Sequence, residues 1–126
     1  MLANVIFGVR DMKRATSFYD AAFGALGYKR VSTGEKFTGY GPGEKANFFI
    51  CMPRNGQPAT AGNGTQVTVS APDTASVDKF HKAALASGGT CEGPPGFRPP
   101  EKKTSYAAYV RDPDGNKVMA VCSNPK

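Results

Sequence analysis

Residues 66–89, QVTVSAPDTASVDKFHKAALASGG, lie without a gap over residues 4–27, NVIFGVRDMKRATSFYDAAFGALG, at a constant offset of 66 − 4 = 62. Val5 falls on Val67, Asp11 on Asp73, Phe18 on Phe80, Ala21-Ala22 on Ala83-Ala84, and Gly27 on Gly89. The matched residues are structural ones: a strand residue, a helix cap, an apolar stripe and a helix stop. A chain that repeats such a pattern is two copies of one supersecondary unit. The second copy opens on Gln66-Val67-Thr68-Val69-Ser70, which alternates polar and apolar residues as a half-buried strand does. Val67 and Val69 are expected to face a helix, and Gln66, Thr68 and Ser70 a wetter side. By the repeat, Val5, Phe7 and Val9 are the buried set of the first strand, while Asn4, Ile6 and Gly8 occupy the other face.

A helix follows in each copy. Asp11 and Asp73 stand where a carboxylate can accept the free amide protons of a first turn. Met12, Ala15, Phe18, Tyr19, Ala22, Phe23 and Leu26 form an i, i+3, i+4, i+7 stripe, and Val77, Phe80, His81, Ala84 and Leu85 form its counterpart. Gly27 and Gly88-Gly89 are the expected left-handed stops. Gly24 costs the first helix roughly 1 kcal/mol relative to alanine.

Three short strands are expected after each helix, near residues 28–32, 36–39 and 47–52, then near 90–92, 105–111 and 117–122. Asp112-Pro113-Asp114-Gly115-Asn116 supplies the tight turn of the last hairpin. Neither unit can bury both its sheet and its helix alone. The fold class is therefore α+β: two βαβββ modules forming a curled mixed sheet of about eight strands, helices outside and a cup inside. The domain plan is a single domain over residues 1–126, with module one at 1–55, a polar linker at 56–64 and module two at 65–126.

Composition narrows the function. A chain of 126 residues, 40% apolar and 21% charged, suits one globular domain and not a disordered or fibrous protein. No apolar run approaches the ~20 residues of a membrane helix, and no signal-peptide pattern opens the chain, so a cytoplasmic location is expected. Cys51, Cys91 and Cys122 are isolated, odd in number and in no C-x-x-C arrangement, and are expected to be buried or half-buried apolar residues. The net charge of +6 is dispersed in ones and twos (Lys13-Arg14, Lys29-Arg30, Lys102-Lys103) among acidic residues, which argues against nucleic acid as a partner.

Three stretches carry a resemblance: Asp11–Gly27, Asp73–Gly89, and the terminal YAAYVRDPDGNKVMAV. With the segment GPPGFRP (Gly93–Pro99), they are similar to the vicinal-oxygen-chelate superfamily, the group of glyoxalase I, bleomycin-resistance proteins and extradiol dioxygenases, and in particular to small glyoxalase-like proteins. The resemblance implies a divalent metal in the cup. Its ligands, typically His, Gln or Glu, come from the first and last strands of each module. Carried onto this chain, those positions are Asn4, Phe49 (or Phe48, the register being open by one), Gln66 and Met119.

The residues there depart from the pattern. Met119 stands where a final glutamate is expected after DPDGN-x-x, and a phenyl ring ligates nothing. Two amides and a thioether are a poor set for Mn, Fe, Ni or Zn, which favour imidazole, thiolate or carboxylate. The only histidine, His81, falls on the apolar stripe of the second helix, outside the cup, over Tyr19 of the first copy. The carboxylates belong to helix starts, the hairpin turn, loops and strand ends, so no paired acid–base work is suggested.

No catalytic residue, metal or cofactor is therefore expected. The expected ligand-binding residues are Asn4, Ile6, Phe49, Gln66, Thr68, Ser70, Arg98, Tyr109 and Met119, with Tyr109 included if it pairs across the hairpin with Met119. Arg98, with Lys102 and Lys103, would lie in a loop at the cup mouth, where an anionic group could be held. The leading expectation is a small-molecule binder, as bleomycin-resistance proteins are, acting as a homodimer. The alternatives are a glyoxalase- or lyase-like enzyme with an altered site, and a structural or partner-binding dimer.

Overall fold

The computed structural model of the protein describes residues 1–125. The chain runs β1 (Val5–Gly8), α1 (Met12–Gly24), β2 (Lys29–Ser32), β3 (Phe37–Gly41), β4 (Phe48–Cys51), β5 (Val67–Ser70), α2 (Thr74–Ala86), β6 (Thr90–Phe97), β7 (Ser105–Arg111) and β8 (Lys117–Ser123). This is βαβββ twice, as the repeat requires. The eight strands divide into two four-stranded sheets, β1-β4-β3-β2 and β5-β8-β7-β6, which share no ladder. Each sheet is mixed: the first strand of a module runs parallel to its last, and the other pairs are antiparallel. Among the described residues no helix is long and apolar enough to cross a membrane.

The caps are those the sequence predicts. Asp11 accepts from the Arg14 amide at 3.1 Å and Asp73 from the Ser76 amide at 2.7 Å, so each carboxylate satisfies a first-turn donor. The stops divide their labour differently from the repeat. Gly27 and Gly88 take the left-handed conformation, with φ of 88° and 94°. Gly89, which aligns with Gly27, is needed instead for close packing: a Cβ there would lie 2.6 Å from Phe18 Cε1 and 2.8 Å from the Arg111 carbonyl.

Register settles the open position in module one. Val5 pairs with Phe48 and Ile6 with Phe49, while Val67 pairs with Val118 and Thr68 with Met119. Phe49 is therefore the counterpart of Met119. Phe48 points the other way, into the core, with Phe7, Tyr19 and Phe23 around it at ring separations of 4.7–5.5 Å. Such tilted and edge-to-face pairs each add about 0.5–1.5 kcal/mol beyond the area they bury.

Three expectations are corrected. The strand expected near 90–92 is longer: β6 continues to Phe97 through Pro94 and Pro95, and only Arg98 and Pro99 of the Gly93–Pro99 segment lie outside it. It can do so because β6 is an edge strand, with register shifts between Cys91 and Gly93 and between Gly93 and Gly96 that leave the prolines out of the ladder. Leu85 is 41% exposed and does not belong to the buried stripe of α2, which consists of Val77, Phe80 and Ala84. Cys91 is exposed, while Cys51 is half-buried and Cys122 buried; all three are free thiols.

The modules share one apolar core, with residues of both helices and both sheets in a single cluster. Polar contacts lock the seam. The Tyr19 hydroxyl of α1 donates to Asp112 Oδ2 at 2.7 Å in the β7–β8 turn. Asp114, its side chain 1% exposed, accepts from Arg10 Nε at 3.0 Å and from Arg14 Nη2 at 2.9 Å through Oδ1. The last carbonyls of β1 and β5, which correspond in the repeat, are each taken by the opposite module: Gly8 accepts from Asn116 Nδ2 at 2.9 Å and Ser70 from the Tyr28 hydroxyl at 2.5 Å. The linker is not a free tether either, since Ala59 is buried and a Cβ on Gly8 would lie 3.2 Å from it.

Candidate ligand-binding site

β1 and β5 are edge strands, and their edges face a cleft at the seam between the modules. Asn4 and Val5 line one wall, and Gln66–Ser70 the other. Tyr28, Tyr40 and Phe48 close the apolar end, and Asn47 adds a further amide. The cleft volume is about 430 Å³, within the range of small-molecule sites. Its two tyrosines are held as neutral phenols: burial, the larger cause, raises the pKa of Tyr28, and burial followed by the hydrogen bond to Asp20 raises that of Tyr40. The walls thus combine aromatic faces with amide and hydroxyl groups, and no charged side chain lines them.

Gln66, Thr68 and Met119 come together as one cluster. Gln66 Nε2 lies 3.1 Å from Thr68 Oγ1 and 3.5 Å from Met119 Sδ, and Thr68 Oγ1 lies 3.6 Å from the same sulfur. Tyr109 is the direct cross-strand partner of Met119. Thr68, Met119, Tyr109 and Gly93 accordingly form one row across all four strands of module two, on the face opposite the core.

Arg98 joins this row. Its guanidinium carbon is 5.8 Å from the centroid of the Tyr109 ring, and the Lys117 ammonium is 5.4 Å from the same centroid. Lys102 and Lys103 are not its companions there; the Lys103 ammonium sits over Phe97 instead, at 5.8 Å. Lys117 was legible from parity, since it lies two residues before Met119 and so shares its face.

Ile6 lines a second concavity, in module one, and Phe49 packs beside it against Phe37. Ile6, Phe37, Cys51 and Met52 line a hollow of about 760 Å³ with Lys36 and Arg54. Phe49 stacks on Phe37 with centroids 4.7 Å apart and an interplanar angle of 25°. Burial raises the pKa of the Cys51 thiol and keeps it protonated. The predicted residues therefore divide: Asn4, Gln66, Thr68 and Ser70 line the seam cleft, Met119, Tyr109 and Arg98 continue from it across module two, and Ile6 and Phe49 flank the hollow in module one.

The side chains at the metal-ligand positions do not fit a transition ion. Phe49 is engaged with Phe37, Met119 offers a thioether already in contact with an amide and a hydroxyl, and Asn4 and Gln66 bring only neutral amides. Among the described residues, no three His, Cys, Asp or Glu side chains gather into a group able to hold a metal. His81 lies on α2, where its Nε2 is 3.2 Å from Cys91 Sγ; burial lowers its pKa, and Asp78 opposes the shift.

A model of the Glyoxalase/Bleomycin resistance protein/Dioxygenase superfamily matches residues 2–120. The chain belongs to that superfamily. Among solved structures, this superfamily member is similar to a glyoxalase/bleomycin resistance protein from Albidiferax ferrireducens, with 42% identity, a TM-score of 0.86, and 95% of this chain and 97% of that one covered. It shares its fold with a glyoxalase-related enzyme from Fulvimarina pelagi, at 20% identity and a TM-score of 0.76 over 98% and 88% of the two chains. It also shares it with a fosfomycin resistance protein from Mesorhizobium loti, at 17% identity and a TM-score of 0.68 over 98% and 92%. No curated protein sequence matches the chain.

Proposed function

We propose that this superfamily member is a metal-independent binder of a small organic molecule, seated at the module seam and extending over the Met119 face. The observation that carries the reading is the seam cleft, where amides from Asn4, Asn47 and Gln66 stand against Tyr28, Tyr40 and Phe48 in a volume suited to a small ligand. Apolar walls supply desolvation, and the amides and hydroxyls supply orientation. The donor set at the family's ligand positions supports binding without an ion, since no anionic or imidazole ligand stands among them.

Metal analysis of protein purified without chelator, followed by calorimetry with Mn, Fe, Ni and Zn salts, tests the reading. Substoichiometric metal and millimolar or weaker ion binding are expected. A stoichiometric ion held with submicromolar affinity, or ion-dependent turnover of a vicinal-oxygen substrate abolished by Gln66→Ala, would replace the binder with a glyoxalase- or lyase-like enzyme. A homodimer belongs to the same proposal. Ile6 and Phe37 are 51% and 44% exposed on the open face of module one, and a second copy would cover them. Light scattering at micromolar concentration is expected to give twice the 13.3 kDa chain mass.

A further inference from the structure

The Arg98 side chain folds back against β6 and the Tyr109 ring. Gly93 and Gly96 face it from β6: a Cβ on Gly96 would lie 2.8 Å from Arg98 Nη1, and one on Gly93 would lie 3.5 Å from Nη2 and 2.9 Å from the Tyr109 ring. The side chain is anchored by two backbone carbonyls, Nη2 donating to Pro94 at 2.6 Å and Nη1 to Phe97 at 3.3 Å. A guanidinium has five donors, so three remain free.

The charge at this seat has no counter-charge. The ion pairs of the described residues are Arg10 and Arg14 with Asp114, Arg30 with Asp20, and Arg111 with Glu92. Glu92, the acidic residue on β6, is held by Arg111 Nε at 2.6 Å. Arg98 and Lys117 are both partly buried, and both approach one tyrosine ring without a carboxylate. Half-buried, unpaired cations against a low-dielectric face attract an anion more strongly than solvated ones do. The row Thr68–Met119–Tyr109–Gly93 connects this platform to the seam cleft without a break.

We propose that the ligand is an amphipathic organic anion whose carboxylate or phosphoryl group is held by Arg98, with Lys117 at the other approach to the Tyr109 ring, and whose apolar body lies over Met119 towards Gln66. This rests on the reading of the cup as a binding site. It adds the ligand's class.

The test is calorimetry of the full chain with benzoate, phenylphosphonate and benzamide, three probes of similar size that differ in charge. One of the anions is expected to bind about tenfold or more tightly than benzamide at low ionic strength, a preference that shrinks as salt is added. Which anion binds better distinguishes a carboxylate from a phosphoryl ligand. Arg98→Ala and Lys117→Met should each lower anion affinity more than benzamide affinity and so erode the preference, and Gly96→Ala, which displaces the guanidinium without removing its charge, should do the same. Lys103→Ala should have no effect. Equal affinities for all three probes overturn the anion proposal and leave the cup reading standing. So does a preference that survives both Arg98→Ala and Lys117→Met. Failure of every probe to bind counts against the cup itself.

Discussion

Tyr19→Phe removes one oxygen atom and leaves the ring, so it isolates a single hydrogen bond across the seam. The acceptor, Asp112, is buried and carries four bonds: the Tyr19 hydroxyl at 2.7 Å and Asn116 Nδ2 at 2.9 Å on Oδ2, and the amides of Asp114 and Asn116, each at 2.9 Å, on Oδ1. Burial first, and the negative Asp112 second, push the Tyr19 pKa well above that of an ordinary phenol, so the hydroxyl stays a donor at any ordinary pH. A hydrogen bond to a charged group is worth about 1.5–3 kcal/mol, and here the carboxylate loses a partner that water cannot replace. The expected loss is ~2 kcal/mol, or roughly 6–10 °C in Tm for a domain of this size.

Tyr40→Phe is the matched control. Its hydroxyl donates to Asp20 at 2.9 Å, but that carboxylate is 45% exposed and already paired with Arg30. The same deletion should therefore cost under about 1 kcal/mol. Urea unfolding followed by circular dichroism, with unchanged m-values, measures both. Equal losses for the two variants, or a loss below ~0.5 kcal/mol for Tyr19→Phe, would refute the argument that the buried carboxylate makes the seam contact strong.

Two further outcomes follow from local geometry. Gly24→Ala, at the exposed end of α1 with nothing within 4 Å of the new methyl, should stabilise the protein by about 0.5–1 kcal/mol, while Gly89→Ala should cost about 1–3 kcal/mol because its methyl meets Phe18 and two backbone carbonyls; thermal melts of the pair read the contrast, and a neutral Gly89→Ala would contradict the close packing. His81, the only imidazole, should titrate below 6.5 in an NMR titration, because burial disfavours its charged form more than Asp78 restores it. Its contribution to stability is then complete above the unfolded pKa near 6.5 and is lost as the pH falls through that value towards the lower folded one. A titration midpoint at or above 6.5 would show that Asp78 outweighs burial.

The fold was legible because its determinants are local and doubled. An alternating Gln66–Ser70, a cap at Asp73 and a glycine stop each have a local physical cause, and the repeat tests each one against its copy. What the sequence misplaced depended on tertiary context. The strand character of Pro94-Pro95 needed β6 to be an edge, which no local pattern announces. Leu85 satisfies the helical period of α2, yet it stays 41% exposed, and burial depends on what packs against the helix and not on period alone. The roles of Gly88 and Gly89 separate only once Phe18 from the other module is seen packing against the second of them.

The candidate site was half legible for a related reason. Strand parity identifies which side chains leave the core, so Gln66, Thr68, Met119 and Tyr109 emerge together on one face. Parity also selects Lys117, two residues from Met119 and on the same face. It cannot say what closes the cleft, because Tyr28 and Tyr40 reach it from the opposite module across a seam between two unpaired edges. Nor can it say that Arg98 turns back over two glycines. Gly96 has no positive φ; what a Cβ there would meet is the tip of the arginine, 2.8 Å away, which would have to swing aside. The approach of the guanidinium to the Tyr109 ring places Arg98 beside the Met119 face, whereas Lys103 sits over Phe97 instead.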